Sequence, residues 1–190
     1  MKILGLDLQG TRLGHARLDG ESLYDAGVVR LGEYDVPGKR AGTTKRVVVA
    51  AMYASDARDQ VKWLLRTWKP DVVAYEQVMR HGAGQVTSAH RWGAVEMAVL
   101  EVCHLAGVKV QPVGVCSAKL ALAGSGKATK EEMVAAAEKR WPDAKVDWRE
   151  EDADAADAAG VAWSIEHPGE SKANREKREA AERRARKAAR

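Results

Sequence analysis

The sequence contains no phenylalanine, two cysteines and five prolines in 190 residues. Two cysteines make no disulfide framework, and Cys103 and Cys116 match no metal or redox spacing. They are expected to be reduced thiols in a cytoplasmic protein. No apolar run approaches the roughly 20 residues that span a bilayer. The opening MKILGLDLQG lacks an apolar h-region and a cleavage site, which predicts no secretory leader. The five histidines show neither H-E-x-x-H nor H-x-H spacing, which argues against a histidine metal centre. There are no internal repeats.

What is present describes a soluble globular chain, 45% hydrophobic and 31% charged, long enough to bury a core without staples. The net charge of +4 is unevenly spread. Residues 171–190 hold nine Lys/Arg and three Glu, which leaves 22 basic against 24 acidic residues in the first 170. The body is mildly acidic and the basicity sits in a tail. Such a tail can meet a polyanion through counterion release or stand as a solvated, partly frayed helix. The expected division is a domain over 1–168 and a basic tail over 169–190.

Hydrophobic spacing predicts the elements. KILGLDL, RLGHARLD and a run from Ala26 to Leu31 read as an antiparallel meander. Gly32 to Thr44 reads as a loop. Val61, Leu64, Leu65 and Trp68 fall on one stripe of a helix from Val47 to Trp68, which Pro70 stops. DVVAYE, Asp71 to Glu76, is a short strand, and the polar stretch MRHGAGQVTS after it is a loop. A helix from Ser88 to Ala106, the strand VKVQP and a helix from Cys116 to Ala123 follow. Thr129 with Glu132 forms a capping box for a helix ending near Arg140, and an Ala-rich helix runs from about Asp152 to Ile165. The order predicts an α/β fold, a mixed sheet with helices on both faces.

Carboxylates stand where apolar residues are expected. Asp7 lies in one apolar strand, Glu76 ends another, and Asp154 and Asp157 share a face of the Ala-rich helix, about 60° apart. Buried carboxylates are costly unless a positive charge offsets them, and no basic set is adjacent in sequence. A divalent cation is the economical answer, and oxygen-only ligands favour Mg²⁺ or Mn²⁺. Four carboxylates suit two ions about 4 Å apart, one activating water and one stabilising the leaving 3′ oxygen of a phosphodiester.

ILGLDL with Gly14 seven residues after Asp7, YEQV and ADAADA together resemble the RuvC-type Holliday-junction resolvases, over roughly residues 2–166. The resemblance implies an RNase H-like fold, a five-stranded mixed sheet flanked by helices. It implies a homodimeric endonuclease that cuts four-way DNA junctions by paired symmetric nicks, leaving 5′-phosphate and 3′-hydroxyl ends. Asp7, Glu76, Asp154 and Asp157 match the family's metal-binding acids, and Lys119 and Lys130 match basic residues that face DNA phosphates. The chain departs at Asp7-Leu8-Gln9-Gly10, where the family commonly reads D-P-G-S. It departs again at Met79, where many members carry an aromatic that stacks on a junction base.

Other readings remain open at this level. Arg80 and Arg91 flank the loop after Glu76 and could steer a DNA strand, or be ordinary exposed arginines. His81 in that loop is a candidate proton shuttle or phosphate contact. Lys127 lies in Gly124-Ser125-Gly126-Lys127-Ala128-Thr129. This segment is no Walker A motif, because Ala121 and Ala128 occupy its glycine and hydroxyl places, so no nucleotide cofactor is expected. Lys127 could touch DNA or sit in a solvated turn. The helix Ser88–Ala106 is a candidate dimer face, though Val95, Ala98, Val99 and Val102 could equally be core. An RNA-processing relative of the YqgF family and a non-catalytic junction-binding protein are the rival functions.

Overall fold

The computed structural model describes residues 1–34, 43–77, 86–148 and 153–169, with backbone alone at 43–46 and 86–90. Three strands open the chain, β1 (Lys2–Leu8), β2 (Arg12–Asp19) and β3 (Ser22–Arg30). They pair antiparallel in sequence order. Gly20 turns the second hairpin at φ +56, a backbone region that costs glycine nothing. β3 begins four residues before the expected Ala26. Its first half alternates exposed and half-buried residues on a sheet edge, so no apolar run announces it.

Helix α1 (Thr43–Trp68) crosses to β4 (Val72–Gln77), and α2 (Val86–Leu105) crosses to β5 (Lys109–Gly114). Both new strands lie parallel to β1, giving the order β3-β2-β1-β4-β5. α3 (Val115–Ala123), α4 (Lys130–Arg140) and α5 (Asp154–Glu166) complete the described elements. The predicted capping box is present: the Glu132 N–H donates to Thr129 Oγ1, and the Thr129 N–H donates to Glu132 Oε2. Helix α1 starts at Thr43, inside the stretch expected to be loop, and α2 starts at Val86.

Central β1 is buried along nearly its whole length, with a core on each side. Leu4, Leu6 and Leu8 pack with Leu13, Val73 and Tyr75 against α1 and α2. Ile3, Ala16, Leu18, Ala74 and Val113 pack against α5, with α3 and α4 beyond it. Val95, Ala98, Val99 and Val102 of α2 are buried within this chain. Of the two readings left open for them, the structure selects core, so a dimer would have to use another face of α2. Cys103 is buried and Cys116 exposed, both as free thiols.

Candidate metal centre

Strand alternation decides where each acid points. Leu4, Leu6 and Leu8 turn toward α1 and α2, so Ile3, Gly5 and Asp7 turn toward α5. β4 runs parallel to β1 in the register Gly5–Ala74 and Leu6–Tyr75. One residue further along each strand, Asp7 and Glu76 emerge side by side on that same face.

Helix α5 completes the group because almost nothing separates it from the sheet. Its run Ala155 to Trp163 is buried without interruption, mostly alanine. The strands beneath carry glycine where it passes. A methyl group at Gly5 would run into the Ala158 carbonyl oxygen and lie 2.8 Å from the Ala162 Cβ. At Gly14, the strand partner of Asp7, it would run into the Asp154 carbonyl. The first turn of α5 therefore delivers Asp154 and Asp157 onto Asp7. Carboxylate oxygens of Asp7, Asp154 and Asp157 lie within 4.8 Å of one another, at relative exposures of 1, 0 and 9%. Half-buried Glu76 stands outside that tight set but acts on its charge.

Burial, and after it the Glu76 charge, holds the Asp7 carboxyl well above the usual carboxylate range, against hydrogen bonds from Gln9. Glu76 rises from 4.5 to about 7 through burial and then Asp157, with Lys119 opposing. Burial likewise raises Asp157, and Lys119 and Lys130 moderate it. Three such groups cannot all ionise cheaply without added positive charge.

The chain brings some of that charge itself, from residues distant in sequence. Lys130 Nζ donates to Asp154 Oδ1 at 3.1 Å, and Arg12 Nη2 lies 3.0 Å from Asp154 Oδ2. Gln9 Nε2 donates to both Asp7 oxygens at 3.1 Å. Local sequence hides the arrangement because the cations come from β2, α3 and α4 while the acids come from β1, β4 and α5. Arg12 and Gln9 are site residues that the sequence patterns do not single out. The signal for Arg12 was its place two residues before Gly14, on the same strand face; for Gln9 it was the departure from D-P-G-S.

The donor set is oxygen alone, which suits a hard divalent cation. A structural observation favours that fit. Asp154 Oδ2 is fully buried and receives no aligned hydrogen bond, the nearby guanidinium notwithstanding. Its lone pair is available to a cation.

The remaining sequence candidates divide. Lys119 reaches the acids through its charge while its Nζ donates to the Ala128 carbonyl at 2.7 Å. Lys127 is exposed in the turn after α3 and is absent from the charges acting on the acids. Arg91 lies with its guanidinium carbon 5.9 Å from the Tyr53 ring centroid. With Trp92 it backs Gly10, in the turn that follows Asp7. Met79, Arg80 and His81 lie outside the described residues, as does the tail beyond Gly169.

No protein-family model matches the chain. It is 30% identical over 166 residues to the crossover junction endodeoxyribonuclease RuvC of Prochlorococcus marinus strain MIT 9303, spanning 85% of this chain and 96% of that protein. The RuvC of Synechococcus sp. strain CC9902 is 31% identical over 140 residues, spanning 72% of this chain and 80% of that one. Among solved structures, T. thermophilus RuvC in complex with a Holliday junction substrate superposes with a TM-score of 0.66 at 23% identity, over 88% of this chain and 93% of that one. The yeast mitochondrial Holliday junction resolvase Ydc2 gives 0.55 at 16% identity, over 84% and 75%.

Proposed function

Because the chain belongs to the RuvC family of crossover junction endodeoxyribonucleases, we propose that Asp7, Glu76, Asp154 and Asp157 hold divalent cations with which it cuts four-way DNA junctions. The observation that carries this is the meeting of Asp7, Asp154 and Asp157 within 4.8 Å, in a place where burial and neighbouring acids disfavour the charged forms of Asp7 and Asp157. Two Mg²⁺ ions are the reading for four oxygen donors, with Mn²⁺ as a substitute. Held by these four carboxylates, divalent cations would supply a nucleophilic water and offset charge on the phosphodiester, and hydrolysis would leave 5′-phosphate and 3′-hydroxyl ends.

The chain's own residues do the rest. The β1–β4 register and α5 pre-position the acids. Lys119 and Lys130, at the rim of the centre, hold the DNA backbone, with Lys127, Arg91, Arg80 and His81 extending the contact and Met79 acting as the wedge at the junction. Residues 1–168 form the nuclease domain and the rest is a basic appendage working in the cytoplasm.

Paired symmetric nicks require two centres related by a two-fold axis, hence a homodimer. Helix α2 still presents apolar surface outward, Met97 at 65% and Leu105 at 76% exposure.

The test uses a labelled four-way junction, a linear duplex and a labelled structured RNA, with Mg²⁺ or with EDTA, on the wild-type chain and on Asp7→Asn. The wild type should nick opposite strands of the junction in Mg²⁺ only. Asp7→Asn should bind the junction but cut at least about 100-fold more slowly, beyond what losing a mere support of a ligand costs. Cutting by Asp7→Asn at the wild-type rate sinks the metal assignment. RNA cleavage with intact junctions would select the RNA-processing alternative.

A further inference from the structure

A second, cationic feature adjoins the acids. Where β2 begins and β3 ends, the chain leaves an open cleft of about 550 Å³ whose walls include Arg12, Arg30 and Tyr34. Arg12 and Arg30 are direct antiparallel partners. The next pair on the same face, Gly14 with Val28, lies against α5 and its core. Both guanidinium groups therefore leave the sheet on the side of the acidic centre.

Like charges directly opposite one another destabilise a strand pair. Arg30 is exposed and is paired with no acid among the described residues. Among the described residues, Glu33 is the one carboxylate lining the cleft, against two arginines. Arg12 reaches Asp154 Oδ2 at 3.0 Å, yet Lys130 holds the other oxygen of that carboxylate. Arg12 is thus already engaged; it adds positive charge to the cleft, and the exposed Arg30 supplies the fork of donors for an anion there.

The tyrosine part of the lining is preformed. The Tyr34 hydroxyl donates to Asp56 at 2.7 Å, and its ring meets Tyr53 edge-on at 4.8 Å. Gly32 makes this possible with φ +48, since a Cβ there would lie 2.6 Å from the Tyr34 ring. Two arginines side by side on the wall of one cleft suit a phosphodiester, which guanidinium binds bidentately.

We propose that Arg12 and Arg30 form a phosphate subsite for the DNA strand beside the cut, carrying it from the acids across the β2–β3 end of the sheet. The subsite rests on the junction-nuclease reading and adds a strand path away from Lys119 and Lys130.

The test measures the affinity of the wild type, Arg30→Gln, Arg30→Lys and Arg66→Gln for a labelled four-way DNA junction, in EDTA, between about 50 and 200 mM salt. Arg66 is an exposed residue on α1 and serves as the control for net charge. Arg30→Gln should weaken binding about tenfold, the loss of one charge-assisted contact, and lower the salt slope by about one. Arg30→Lys should restore the slope but not the full affinity, because an ammonium cannot bind bidentately. Arg30→Gln should also melt at or above the wild-type temperature and keep the wild-type melting shift in Mn²⁺, which separates the subsite from both folding and the metal centre. If Arg30→Gln changes affinity and slope no more than Arg66→Gln does, the subsite is refuted while the nuclease reading stands. If the wild-type chain fails to bind junctions, the nuclease reading falls and the subsite with it.

Discussion

Gly14 on β2 and Asp154 on α5 meet backbone to backbone, so closely that a methyl group on Gly14 would overlap the Asp154 carbonyl. Gly14 is also the strand partner of Asp7. One small residue thus sets the distance between the acid supplied by the sheet and the first acid supplied by the helix. Gly5, two residues before Asp7, clears the way for the next turn of α5 at Ala158 and Ala162.

Replacing Gly14 with alanine should therefore act on chemistry as well as on stability. Overpacking a tight contact costs about 1–3 kcal/mol, and the relief available is to lift the first turn of α5 away from Asp7. The expected result is a lower melting temperature, a smaller stabilisation by Mn²⁺ and a cutting rate reduced more than junction affinity. A Gly14→Ala protein that melts and cuts like the wild type would show that the close approach is dispensable.

The shifted acids predict an inverted pH dependence for the cation-free protein. Glu76 titrates at about 7 instead of 4.5, and Asp7 is raised as well. Between those values the folded chain keeps protons that the unfolded chain has released, so stability falls as pH rises through this window. A divalent cation competes with the same protons. Thermal melts from about pH 5.5 to about pH 8 should show the EDTA sample losing stability while the shift produced by Mg²⁺ grows. A Mg²⁺ shift of constant size across that range would contradict the assigned ligands.

Methionine at position 79 should make junction recognition depend on dispersion instead of ring stacking, which is worth about 1–3 kcal/mol per base. Met79→Ala is expected to slow cutting or change which sites are cut. Mapping products on junctions of varied central sequence reads this directly; unchanged rate and unchanged sites would remove Met79 from the interface.

The basic appendage makes a separable prediction. Residues 171–190 hold nine Lys/Arg and three Glu, and each neutralised phosphate contributes about 0.9 to the salt slope on duplex DNA. Deleting them should flatten the salt dependence of junction affinity by about two or more, with the cutting rate at saturation kept. An unchanged slope would mean that the tail touches no phosphate.

Much of this was readable before any coordinates. Apolar runs located nearly every strand and helix, and polar residues inside them singled out Asp7, Glu76, Asp154 and Asp157, because a buried carboxylate is conspicuous against leucine and alanine. Element ends were less legible. β3 hides its start on a half-wet edge, and the first residues of α1 fall in a stretch with the composition of a loop. The buried positions of α2 could not be assigned to core or partner by periodicity, which gives the same stripe for both.

By itself, the sequence determined the elements, the four acids and the glycines beside them, since each is a local choice of residue type. Only the tertiary structure decided which charges those acids face. Arg12, Lys119 and Lys130 belong to three other elements, and their approach follows from β1–β4 pairing and from the seating of α5 on bare glycine backbone. Electrostatic energy depends on distance through space, and distance along the chain does not encode it.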